Sequence, residues 1–267
     1  LPPIRLLIYI AMTALAATYA TANDMDCTYT ADSRLSVMEQ VLGGIDAQGR
    51  RYIIIDDDTL HISFIPPADG PKHTGPLTEE DFEEVAAALD VEAAAIRAIV
   101  EIETGRTRKG FHAEGKPIIN FDLPVFRRAA ARRGINLVKH SSSPALKPVN
   151  IKKYGGQQAA QQARFDAAFA IDSIATIEST FWGMFQIGGF NWKLCGMPSR
   201  EEFVKMMSRS EYDQLRLFAN YMENTGLVKH LMAKNWAAFA RIYNGPSYAS
   251  RGYHTRLAAA YRKYSGK

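Results

Sequence analysis

Ile99-Val100-Glu101-Ile102-Glu103-Thr104-Gly105 ends an apolar helical run with two acids and a glycine. Counting back from Glu103 at helical spacing meets Val100, Ile99 and Ile96, so this carboxylate continues the apolar stripe. Glu101 counts back to Ala98, Arg97 and Ala94, a mixed face. A carboxyl on the apolar side is desolvated, its pKa rises, and it holds a proton nearer to neutral pH. General-acid chemistry requires that. A structural acid that caps or pairs at a helix end is the competing reading of Glu103. Gly105 is placed to stop the helix.

Outward from this stretch the pattern is mainly helical. Thr78 with Asp81 makes a capping-box-like start, and Phe82, Val85, Ala86 and Leu89 follow at helical spacing. The helix that carries Glu103 begins at Asp90-Val91. A possible strand lies at 117–122, then a basic helix at 125–133 and a long polar loop to Gly155-Gly156. Further helices are predicted at 157–178, 181–188, 200–224, 227–233, 236–243 and 249–264. Phe203, Met206, Met207, Leu215, Leu217, Phe218 and Tyr221 read as core stripe.

The N-terminal residues have a different character. Arg5 precedes an apolar run at 6–17, and Ala20-Thr21-Ala22 offers small residues at cleavage spacing, so residues 1–22 read as a secretory signal peptide. The run is short of the ~20 residues that a membrane-spanning helix needs. Residues 23–65 form a small α/β segment, with a short helix at 35–42 and strands at 51–55 and 60–65 around Asp56-Asp57-Asp58-Thr59. Residues 66–76 are a Pro/Gly linker, and the main domain runs from 77 to 267.

The 267 residues carry a net charge of +4, which suits an anionic partner without choosing one. Cys27 and Cys195 are the two cysteines, and they either pair or remain thiols. The six histidines are scattered, so the pattern calls for no metal and no cofactor. A Gly-rich phosphate loop, a Gly-x-Ser-x-Gly elbow and a His-Glu-x-x-His motif are all lacking. The basic pairs Arg127-Arg128, Arg132-Arg133 and Lys152-Lys153 read either as solvated surface or as attractors of anionic wall polymers. No aromatic residues interleave with them in the manner of a nucleic-acid site.

Glu103-Thr104, then Gly183-Met184-Phe185-Gln186-Ile187, then Tyr243-Asn244-Gly245-Pro246 resembles the superfamily of goose-type lysozymes and lytic transglycosylases. More closely, residues 77–264 resemble the bacterial and phage N-acetylmuramidases found in endolysins. The resemblance rests most on Ile102-Glu103-Thr104, on residues 181–191 and on residues 236–246. It implies a lysozyme-like, two-lobed, mainly helical domain with a polysaccharide cleft. It also implies cleavage of the β-1,4 bond between N-acetylmuramic acid and N-acetylglucosamine in peptidoglycan. Glu103 falls on the family's catalytic acid.

Asp122 falls where the family often has Glu followed by Arg-His, and is the candidate second carboxylate. Here Leu123-Pro124 stands instead of that polar pair, and a turn-capping role competes. Gln186, Tyr243 and Asn244 fall on substrate-contacting positions, with Ser179 near the acid and Glu178 a weaker candidate. Trp182 and Phe190 read as core more readily than as sugar platforms. A lytic transglycosylase and a catalytically silent wall-binding module are the alternatives. The implied protein is a monomer, secreted or periplasmic and associated with the cell wall. Its partner is the glycan strand, with no nucleic acid and no stable membrane insertion after signal cleavage.

Overall fold

The structure, a computed structural model, describes residues 73–104 and 109–266, and before them the backbone of three strands. These strands are β1 (Leu42–Ile45), β2 (Arg51–Ile55) and β3 (Asp58–Ile62), in one antiparallel sheet of order β1-β2-β3. Ile53 of β2 pairs with Gly43 on one side and Leu60 on the other. The sequence signalled two strands. The third, β1, is half glycine, and glycine carries no strand signature. Asp58 and Thr59, expected in the turn, pair with Ile55 and Ile54. The expected helix at 35–42 lies outside the described residues except for Leu42, which opens β1. The signal segment, Cys27 and most of the linker also lie outside them.

The helices of the main part are α1 (Glu79–Ala88), α2 (Ala93–Glu103), α3 (Leu123–Arg132), α4 (Ile151–Tyr154), α5 (Gln157–Phe169) and α6 (Ser173–Glu178). Then follow α7 (Arg200–Met207), α8 (Glu211–Asn224), α9 (Val228–Met232), α10 (Trp236–Asn244) and α11 (Tyr253–Ser265). Between α2 and α3 lie β4 (Phe111–Ala113), β5 (Lys116–Pro117) and β6 (Ile119–Phe121), and after α6 come β7 (Thr180–Trp182) and β8 (Ile187–Gly188). The fold is mainly helical with a small strand content, as the sequence implied. Among the described residues no helix is long and apolar enough to cross a membrane.

The chain divides into two compact units, one of residues 1–65, 82–102 and 220–267, the other of 66–81 and 103–219. The first unit is helical where its side chains are described. The stripe counted back from Glu103 is buried at Ile96, Ile99 and Val100. On another face of α2, Ala95 and Ala98 pack against Ala260 and Tyr261 of α11, with Trp236 of α10 alongside.

The second unit opens with the capping box: the Thr78 N–H donates to Asp81 Oδ2 at 2.7 Å, and the Asp81 N–H to Thr78 Oγ1 at 3.4 Å. It is then built on the sheet β6-β7-β8. Ile119 pairs with Trp182, and Trp182 with Ile187. The outer edge of β6 is covered by glutamines on one face of α5. Gln158 accepts from the Ile119 N–H at 3.0 Å and donates to its carbonyl at 3.2 Å. Gln161 accepts from the Phe121 N–H at 3.2 Å and donates to Asn120 Oδ1 at 2.8 Å. Below the sheet, Phe121, Phe126, Ala129, Ala145, Ala168 and Ala175 form one apolar cluster.

Three predicted helices are corrected. Residues 181–188 form a hairpin, because Gly183 (φ 69°) and Gln186 (φ 48°) take left-handed conformations that no helix interior accepts. The 157–178 helix breaks where Asp172 caps α6 by accepting from the Ala175 N–H at 2.7 Å. The 200–224 helix breaks at Ser210, whose hydroxyl accepts from the Asp213 N–H at 3.0 Å.

Candidate functional site

Glu103 is the last residue of α2 and is half-buried, with Thr104 buried after it. Residues 105–108, including the expected stop at Gly105, lie outside the described residues. Glu101, two residues earlier, is engaged elsewhere. Its carboxylate accepts from Lys263 Nζ at 2.6 Å and from the Tyr264 hydroxyl, both on α11. Arg97, one turn back on that side of the helix, lies 4.3 Å from the Tyr264 ring centre. The two acids therefore serve different faces, as the counting predicted.

Asp122 is the N-cap of α3, its Oδ1 accepting from the Val125 N–H at 2.8 Å. The capping alternative is thus realised, and Pro124 in the first turn explains why a helix begins there. Leu123 packs against the apolar cluster, so the Leu-Pro pair that replaces the family's polar pair is used to seat α3. The Asp122 N–H donates to the Ser179 carbonyl at 2.9 Å, which joins two of the candidates directly.

Ser179 itself is 0% exposed, and its hydroxyl donates back to the Ala175 carbonyl. In this conformation the hydroxyl is turned inward, packed within the second unit. Glu178 is likewise committed: Arg200 Nε donates to its Oε1 at 2.6 Å, and the same guanidinium lies 5.2 Å from the Trp192 ring centre. The pair gives this helix-end acid a structural use.

Gln186 stands exposed in the hairpin turn at 183–186. Its Nε2 donates to the Gly183 carbonyl at 2.8 Å and closes the turn. This is the side chain's one hydrogen bond among the described residues, so a second amide hydrogen and the side-chain carbonyl remain for a ligand. Trp182, in contrast, is core: its Nε1 donates to the Ile177 carbonyl at 3.2 Å, and Phe165 meets its ring edge-on at 5.4 Å. Phe190 is half-buried, edge-on to Phe181 at 6.2 Å.

Tyr243 and Asn244 belong to the first unit, in the last turn of α10. Tyr243 is half-buried, with Phe239 stacked at 5.9 Å and Tyr221 edge-on at 6.3 Å. Gly245 follows at φ 78°, a conformation that favours glycine, and ends the helix. Glu103, Asp122, Glu178, Ser179 and Gln186 all belong to the second unit.

Residues 92–265 match the family model described as N-acetylmuramidase. The chain belongs to the N-acetylmuramidase family. This muramidase also resembles the crystal structure of a Burkholderia AP3 phage endolysin, with a TM-score of 0.62 and 36% identity over 71% of each chain. No curated protein sequence matches it. Membership makes the muramidase a lysozyme-like glycoside hydrolase of peptidoglycan.

Two buried polar residues beside the candidate residues carried no sequence signal. Gln214, fully buried on α8, accepts from the Met184 N–H at 2.8 Å and donates to the carbonyls of Met207 at 2.8 Å and Gly110 at 3.3 Å. The neighbouring Glu211 accepts from the Gly110 N–H at 2.7 Å. A Cβ at Gly110 or Gly183 would fall 2.2 or 2.6 Å from Gln214 Oε1, so both glycines let backbone approach this amide. The turn that presents Gln186 is held from beneath by this side chain.

Arg164 is the second. It is buried on α5, 5.1 Å from the Phe121 ring centre. Burial lowers the pKa of its guanidinium, and the nearby Asp122 charge opposes that shift. Polar residues at ordinary helical positions give no hint of either role. Among the described residues no group of acids, histidines and cysteines has the makings of a metal site. Cys195 is fully buried, and burial pushes its thiol pKa up.

Proposed function

We propose that the chain hydrolyses the β-1,4 bond between N-acetylmuramic acid and N-acetylglucosamine, with Glu103 as the general acid. The observation that supports this reading is the division of labour on α2. Glu101 is tied to Lys263 and Tyr264, whereas Glu103 ends the buried stripe of Ile96, Ile99 and Val100, half-buried at the helix terminus. In this reading Glu103 protonates the glycosidic oxygen as the C1–O bond breaks, and water completes the reaction at C1. Gln186 contributes an exposed amide suited to N-acetyl groups and hydroxyls, and Tyr243 and Asn244 are the further substrate contacts.

A second reading is favoured by what happens to the other carboxylates. Asp122 caps α3 and Glu178 pairs with Arg200, so each has a structural use. One acid acting twice, with the sugar's own 6-hydroxyl as nucleophile, makes a lytic transglycosylase. Mass analysis of the muropeptides from purified peptidoglycan separates the two. Reducing ends support hydrolysis, and 1,6-anhydro ends overturn it in favour of the transglycosylase. Unchanged lysis by Glu103→Gln would remove the acid assignment under either reading. The domain at 77–267 is the proposed catalytic part, and residues 1–22 the proposed signal that takes it to the wall. Deleting 23–65 and comparing activity with wall affinity tests whether that segment recruits or restrains.

A further inference from the structure

Between residues 123 and 165 the chain holds nine arginines and lysines and not one aspartate or glutamate. The whole protein carries only +4, so the remainder is net acidic and the basic charge is concentrated in this stretch. Arg127, Arg128, Lys139, Lys147, Lys152 and Lys153 are exposed. Arg164 of the same stretch is buried, and Arg133 is paired with Asp172 at 2.8 Å, so these two serve the interior and the fold.

The fold keeps these segments together. Helix α3 buries Val125, Phe126, Ala129 and Ala130. Phe126 and Ala129 share one apolar cluster with Ala145, against which Leu137 and Leu146 also pack. Helix α3 and the single turns Leu137–His140 and Pro144–Leu146 are therefore anchored by their apolar side chains to one spot, with the basic ones in solvent. Their continuation through Lys147 leads to α4 with Lys152 and Lys153.

Charge alone describes a surface for any polyanion. A second observation narrows it. Among the described residues, three of the five exposed large apolar side chains lie in this same stretch: Val138 at 80%, Val149 at 38% and Ile151 at 49%. Val138 adjoins Lys139, and Ile151 adjoins Lys152. A soluble polyanion offers nothing to apolar tips among lysines. An anionic bilayer offers both, headgroup charge for the ammoniums and the acyl boundary for the tips.

We propose that the 123–153 surface adsorbs to an anionic lipid bilayer, peripherally and without insertion of a helix. Full-length protein is co-sedimented at about 0.1 M salt with phosphatidylcholine vesicles and with vesicles that also contain phosphatidylglycerol. The readout is the gain in partition on adding phosphatidylglycerol, because any contribution of the apolar run at 6–17 is common to all variants. The wild type should show a clear gain. Lys152→Ala with Lys153→Ala should reduce partition on anionic vesicles by roughly 25-fold. Val138→Ser with Ile151→Ser should reduce it by on the order of tenfold.

All of these side chains are exposed, so both double variants should digest membrane-free peptidoglycan at the wild-type rate. That control also separates this proposal from the catalytic one. No gain with phosphatidylglycerol overturns the proposal. A loss confined to the lysine pair supports adsorption by charge and overturns the part assigned to Val138 and Ile151. A gain that both variants retain overturns it as well.

Discussion

In the first unit, helical where its side chains are described, several polar side chains meet near the surface. Lys263 reaches Glu101, Lys234 reaches Glu92, and Arg97 lies over Tyr264. In the second unit, built on the sheet β6-β7-β8, several lie inside. Gln161, Gln214 and Asp213 are buried, each bonded to backbone or to a neighbouring side chain. The difference follows from the backbone that surrounds these side chains. Helices satisfy their own backbone, so their side chains pack or pair at the rim. Short strands and turns leave N–H and C=O groups without ladder partners, and buried side chains must supply them. The unit with the irregular backbone also holds the hairpin turn and the candidate residue Gln186.

Six substitutions at five positions test this contrast, taken from the largest effect to the smallest. Glu103→Gln should lower peptidoglycan hydrolysis by about 10²- to 10⁴-fold with an unchanged melting temperature, whereas Glu101→Gln, two residues away, should leave turnover within about twofold. A comparable loss in both would erase the distinction between the two faces of α2. Gln214→Ala strips partners from the Met184 N–H and two carbonyls and opens a void, and should cost on the order of 3–5 kcal/mol in a denaturant melt. Gln214→Glu keeps the volume and the acceptor, so comparing the two variants separates lost packing from lost donation.

Gln161→Ala, which leaves the Phe121 N–H unsatisfied, should cost roughly 1–3 kcal/mol by the same measurement. Lys263→Ala belongs to the first unit and should shift the melting midpoint by no more than about 2 °C, less still at high salt. If Lys263→Ala matched Gln214→Ala, rim and interior would not differ as described.

The legibility of the sequence follows the same line. The stripe of Ile96, Ile99 and Val100, the capping box at Thr78 and Asp81, and the separate faces of Glu101 and Glu103 were readable, because helical periodicity records them directly. The hairpin at 180–188 was read as a helix. Its strands are short, and residue type does not signal the left-handed conformation at Gln186. Asp122 drew two readings from one position, and the cap proved observable where a catalytic role was not. Gln214 was invisible for a plain reason: two of its three partners lie 30 and 104 residues away.

The glutamines of α5 have one more consequence. A strand at the border of a sheet is a template on which another chain can add itself. Gln158 occupies both the N–H and the carbonyl of Ile119, and Gln161 occupies the N–H of Phe121. The border of this small sheet is thus closed from within by a helix of its own chain, and strand-by-strand polymerisation finds no foothold there.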